Sequence, residues 1–174
     1  MSIKVDYSLQ MKVTETFGTS QQNASAAVVV HEITGTNGSL NADSTVPATT
    51  VIDKRMTLTA GTATIDLTAA PGKTVDGTAV PIDLTGLKLQ MIKLKAHADN
   101  TSRVKVAQGA SHPYYVGGVT GAFDSLGAGE SALHEFKDTL QEVGATISTG
   151  VYAKTIDITS AMAAAIIDVQ LVFG

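Results

Sequence analysis

From Ile3 to Val13 apolar and polar residues alternate: Ile3, Val5, Tyr7, Leu9, Met11 and Val13 fall on one side of an extended chain. Lys4, Asp6, Ser8, Gln10 and Lys12 fall on the other. A period of two is the mark of a half-buried β-strand, because successive side chains of an extended chain point to opposite faces. The following region, residues 18–50, has no such beat: loops rich in Gly, Ser, Thr and Asn flank a single apolar run, "AVVVHEI". Residues 1–50 therefore read as an N-terminal β-arm or hairpin with its loops, attached to a body spanning residues 51–174. Covering the six-residue stripe contributes on the order of 10 kcal/mol before ordering costs, at about 25 cal/mol per Å². Left open, it would be a flat aggregation-prone edge. The expectation is that much of it packs on another subunit.

The body's strands come quickly. "RMTLTAG" and "TATIDLT" are separated by little more than Gly61 and form either a tight hairpin or one bent strand. "AVPIDL" leads into "GLKLQMIKLKAHA", whose apolar positions run Leu87, Leu89, Met91 and then change phase to Ile92, Leu94, Ala96 and Ala98. A one-residue slip would turn the rest of the strand inside out, so a β-bulge or sharp bend is predicted near Met91–Ile92. "RVKVAQG", "PYYVGG", "GAFDSLG", "ALHEFKD", "VYAKTIDIT" and "AIIDVQLVFG" follow, divided by Asp, Asn and Gly turn signals. Short strands at this spacing predict an all-β protein, an antiparallel jelly-roll-like β-sandwich. One stretch reads two ways: Leu133, Phe136, Leu140 and Val143 also fit a helical period behind a Ser131 cap. "SAMAAAII" reads as a turn ahead of the last strand.

Composition narrows the function. The net charge is −4, and Arg55 and Arg103 are the only arginines, so nucleic acid is not the expected partner. There is no cysteine, which removes disulfides and thiolate chemistry. The N-terminal stretch has no long apolar run, so neither a signal peptide nor a membrane partner is expected. Charged residues are 16% and aromatics 5%, with Ala, Thr, Ser and Gly filling the gap. That balance suits faces covered by other subunits.

Four aspartates recur between aliphatic residues: Asp66, Asp83, Asp157 and Asp168. They are read as the outward polar beat of strands, since a hard cation would want six to eight oxygens from a locally spaced loop that is absent here. His31 and His134 each precede a glutamate but lack the second histidine of a zinc-protease helix, and no nucleophile elbow or phosphate loop occurs. No catalytic residue, metal site or cofactor is expected. The loop "QGASHPYYVGG" groups His112, Tyr114 and Tyr115. Its aromatics either plug one end of the barrel, anchor a partner subunit, or stack on a ligand such as a sugar.

The run "MTLTAGTATIDLT … GLKLQMIKLKAHADNTSRVKVAQGASHPY … AKTIDIT … DVQLVFG", within Arg55 to Gly174, resembles small structural proteins of tailed-phage virions. The resemblance implies a jelly-roll-like, non-enzymatic capsid decoration or neck and tail component, located in the virion. It further implies a homo-oligomer, often a trimer with exchanged arms, that contacts other virion proteins such as the major capsid protein. Two other classes stand beside it. One is a carbohydrate- or surface-binding β-sandwich using the tyrosine loop; the other is a cupin-type metal enzyme, against which His97 is expected to point outward.

Overall fold

The computed structural model describes residues 5–16, 28–40, 48–73, 79–116, 121–136 and 141–174, with backbone alone for the first two segments. The described residues form strands and turns and contain no α-helix. In chain order the strands are β1 (Val5–Thr16), β2 (Val28–Leu40), β3 (Thr50–Thr57), β4 (Thr62–Asp66), β5 (Ala70–Lys73), β6 (Ala79–Ile82) and β7 (Leu89–Ala96). Then come β8 (Val104–Gln108), β9 (Ala122–Leu126), β10 (Ser131–Glu135), β11 (Thr146–Ser148), β12 (Val151–Tyr152), β13 (Thr155–Ser160) and β14 (Ile166–Phe173).

Two four-stranded antiparallel sheets make the body, ordered β10-β7-β14-β3 and β4-β13-β8-β9. The pairs β3:β14, β4:β13, β7:β10 and β8:β9 nest one inside the next. The body is thus one long antiparallel ribbon, with β3 and β14 at its open end and β8 and β9 at the other. Rolling that ribbon creates the remaining contacts, β14 against β7 and β13 against β8. Alternation along each strand then places a single core between the sheets. Ile167, Val169, Leu171 and Phe173 of β14 and Ile92, Leu94 and Ala96 of β7 meet Ile156 and Ile158 of β13, Val104 and Val106 of β8, and Ile65 of β4. Strands this short cannot hold together singly; the shared apolar layer is what binds one sheet to the other.

The expected phase change is there, one residue earlier than anticipated. Val172 pairs with Met91 and Phe173 with Leu89, so Gln90 is the extra residue of a bulge. Leu89 and Ile92 consequently both reach the main core. Met91 turns to the opposite face, where it packs with Ala48, Val172 and Leu133. The period-two reading had put Met91 with Leu87 and Leu89, and the bulge separates them.

Two other expectations change. Residues 131–135 are strand β10, not the start of a helix. Pairing along the edge of β7 sends Ala132 and Phe136 inward and Leu133 outward, whereas a helix would have put Leu133 and Phe136 on one side. "PYYVGG" contributes no strand across its described residues: Pro113 makes one isolated parallel bridge to Thr155, and the chain then turns. The segment 161–164 is the anticipated turn ahead of β14.

β1 and β2 pair antiparallel with each other, from Val5↔Leu40 to Thr16↔Val28, with a register shift between Leu9 and Met11. Ile3 lies outside the described residues, as do the side chains of Val5, Tyr7, Leu9, Met11 and Val13.

Candidate functional site

The recurring aspartates each have a structural employment. Asp66 accepts from the Thr68 amide at 2.9 Å and the Thr68 hydroxyl at 2.7 Å. Asp83 does the same to Thr85, at 2.9 and 2.6 Å. "Asp-Leu-Thr" is therefore a repeated Asx turn: the carboxylate closes the corner while Leu67 and Leu84, both fully buried, enter the core. The Thr85 hydroxyl and amide hold the Asp83 carboxyl below its ordinary value. Asp157 accepts from the Thr64 hydroxyl across the strand pair and from the Ala110 amide, tying the 109–116 loop to β13. Asp168 is gripped by Arg55 through two parallel bonds, Nε to Oδ1 at 2.7 Å and Nη2 to Oδ2 at 2.9 Å. That bond keeps Asp168 ionised to lower pH than usual; slight burial opposes it, and the positive charges of Arg55 and Lys95 add to it. Among the described residues no three His, Asp or Glu side chains converge as a metal cage would require.

The loop that grouped His112, Tyr114 and Tyr115 divides in the structure. Tyr114 is completely buried, so it cannot be presented to a ligand or a partner. Its hydroxyl accepts from the Leu89 amide at 3.1 Å and donates to the Gln141 carbonyl at 2.8 Å. Leu89 adjoins the bulge, and the phenol supplies a partner for its backbone N–H. Burial pushes this phenol up to about 12, with the Leu89 hydrogen bond pulling the other way. The plug reading of the loop is the one realised for Tyr114. Tyr115 is half-buried beside it. His112 serves through its backbone: its carbonyl accepts from the Thr155 amide at 2.8 Å and the Thr155 hydroxyl at 2.7 Å.

A second pairing was not legible in the sequence. His134 faces inward from β10, and its Nε2 lies 3.0 Å from Oδ2 of Asp124 on β9. The bond joins the two sheets along the side where β9 and β10 are the edge strands. Phe123 meets the imidazole edge-on at 4.5 Å, and Phe136 stacks with it at 6.4 Å. The two residues lie ten apart in sequence with ordinary spacers between, so only the crossover of β9 to β10 brings them together. His97 sits on the turn after β7, where its Nδ1 accepts from the Asp99 amide at 3.3 Å. It remains outside the core, as alternation with Ala96 required.

The outer face of the β10-β7-β14-β3 sheet carries an ordered polar surface. Cross-strand registers lay it out in rows: Arg55, Asp168 and Lys95, then Asp53, Gln170 and Lys93, then Val51, Val172 and Met91. The first two rows line a shallow depression of about 400 Å³. Gln170 donates to Asp53 at 3.1 Å within it. The third row is an apolar corner, with Val51 exposed by 41% and Val172 and Met91 buried. A face graded from charged to apolar can meet another protein surface. No family model matches this chain, nor does any curated protein or solved structure.

Proposed function

We propose that the chain is a non-enzymatic structural protein of a virion, working through subunit contacts as a capsid decoration or a neck or tail component. The observation that carries this reading is the strand order. Numbered along the body, one sheet runs first, eighth, third, sixth and the other second, seventh, fourth, fifth. That order supports reading the body as a double-sheet jelly roll, an architecture shared by viral capsid domains, lectins and cupins. Fold alone does not choose among these. The side chains favour the first. The interior is filled by Tyr114, Phe173 and the aliphatic layer, and the recurrent acids are held in turns and ion pairs. Burial takes Tyr114 out of the sugar-binding alternative and leaves it the half-buried Tyr115. Self-association, with the trimer as the first candidate, would cover the exposed Val51 corner and the Ile3–Val13 stripe.

Light scattering on the purified protein, together with its detection in purified particles, tests the reading. A defined oligomer that co-purifies with particles is expected. A protein monomeric at every concentration and missing from particles would overturn it.

A further inference from the structure

We infer that the end of the β4-β13-β8-β9 sheet carries a binding site for an oxyanion: a phosphate, a sulfate or the carboxylate of an acidic sugar. A depression of about 330 Å³ lies there, lined by Ala60, Gly61, Thr62, Ser102, Arg103, Lys105, Thr159, Ser160 and Ala161. Its volume falls at the small end of ligand clefts. The lining contains two cations, four hydroxyls and no carboxylate, on a chain whose net charge is −4. The outer depression of the other sheet differs on this point, because Asp53 and Asp168 line it.

The cations are placed, not merely near. Lys105 lies in one cross-strand row with Thr62 and Thr159 on one side and Ser125 on the other. Among the described residues no carboxylate is paired with Lys105. Arg103 is oriented from behind: its Nε donates to the Ser125 hydroxyl at 3.0 Å, and its Nη2 donates to the Ser125 carbonyl and to Glu130. The guanidinium is thus pre-positioned but shared with the Glu130 carboxylate, so Lys105 is the cation that an oxyanion would engage unopposed.

The floor is also built. The β3–β4 turn, Thr59 to Thr62, holds Ala60 at a φ of 51° and Gly61 at 77°. A non-glycine residue in the left-handed region costs roughly 1–2 kcal/mol and persists only where its surroundings hold it. Here the neighbouring turn does so, through Gly61 N–H to the Ala163 carbonyl and Ser160 N–H to the Gly61 carbonyl, both at 2.8 Å. Two turns tied by hydrogen bonds and two cations thus border a hydroxyl-lined recess. Oxyanions are recognised by such mixtures of charge and O–H donors.

The test is chemical-shift titration of the full-length protein with inorganic phosphate, inorganic sulfate, glucuronic acid and glucose at constant ionic strength. Saturable shifts centred on residues 60–62, 102–105 and 159–161 are expected with one or more of the three anions and none with glucose. Which anion saturates at the lowest concentration separates an inorganic from a sugar-borne source. Lys105→Gln should weaken binding by about tenfold or more, the scale of one charge-assisted hydrogen bond. Lys93→Gln, the same charge change on the other sheet, should leave it unaltered. Both substitutions are at exposed strand positions, and a thermal melt confirms that each variant folds. Shifts that never saturate, equal binding by Lys105→Gln and the unsubstituted protein, or equal losses in the two lysine variants would overturn the site.

Discussion

At the scale of single residues, Tyr114 shows how much of this molecule is decided by one polar atom in an apolar place. Its hydroxyl joins the Leu89 amide at the bulge to the Gln141 carbonyl, inside a fully buried environment. Tyr114→Phe keeps the ring and strands both backbone groups. A loss of about 1–3 kcal/mol is expected in urea unfolding, the cost of unpaired buried polar groups. The same residue sets an alkaline limit. Its phenol titrates near 12 in the fold against 10.0 for an ordinary tyrosine, so the unfolded chain ionises first. Stability is therefore intact below pH 10 and falls as pH rises from 10 to 12, by about 2–3 kcal/mol for two units of pKa. The difference between the unsubstituted protein and Tyr114→Phe, measured across that window, should shrink as pH rises. A constant difference would show that the phenol is not shielded. The sequence flagged this tyrosine as unusual but left three roles open, because burial depends on the distant Leu89 and Gln141 and not on its neighbours in the chain. The reading of the aspartates as the polar beat of strands was incomplete: "Asp-Leu-Thr" carries its own turn signal, since a carboxylate two residues before a Thr amide and hydroxyl closes a corner.

At the scale of elements, alternation located the strands wherever one face is buried and the other wet. It also revealed the bulge, because a run of aliphatic residues that changes phase within a strand has to discard one residue from the pairing. It was ambiguous at Ser131–Glu135. Five residues with Ala, Leu and His satisfy both periods, and the decision came from the vacant edge of β7 that they pair with. The β3–β4 corner allows a sharper test of element design. Thr59 and Thr62 exchange backbone bonds at 3.0 Å around Ala60 and Gly61, both left-handed. Ala60→Gly should stabilise by no more than about 1 kcal/mol, because relief of the strained φ is offset by the added freedom of the unfolded chain. Gly61→Ala should destabilise by about 1–3 kcal/mol: it adds the same strain, and its methyl would run into the Ser160 carbonyl oxygen. Thermal or urea unfolding of the two variants should give opposite signs. Matching signs would mean that the corner is not held as tightly as its cross-turn hydrogen bonds imply.

At the scale of the whole molecule, the body closes on itself. Every strand of the two four-stranded sheets pairs within residues 50–173, and the nested ribbon leaves no place in either sheet that β1 or β2 fills. The same segments carry the alternating stripe that a solvated monomer would leave open to aggregation. Body and N-terminal region should therefore separate by function: one for folding, the other for association. The place to cut is set by the structure. Ala48 is buried against Met91 and Val172, and the Thr49 amide and hydroxyl both bond the Phe173 carbonyl, at 2.8 and 3.2 Å. A truncation should therefore remove residues 1–47 and retain Ala48. The expected product unfolds in a single cooperative transition, with a midpoint close to that of the full chain measured as a monomer. It should no longer assemble or attach to particles. Exposure of Val51 and the neighbouring apolar corner should not restore assembly, because that patch is small and the stripe is long. If the truncated protein is molten or insoluble, the N-terminal strand is part of the core, and the division into body and association segment fails. If it folds and still forms the native oligomer, the subunit contact lies on the body, and the outer face of the β10-β7-β14-β3 sheet becomes the surface to mutate.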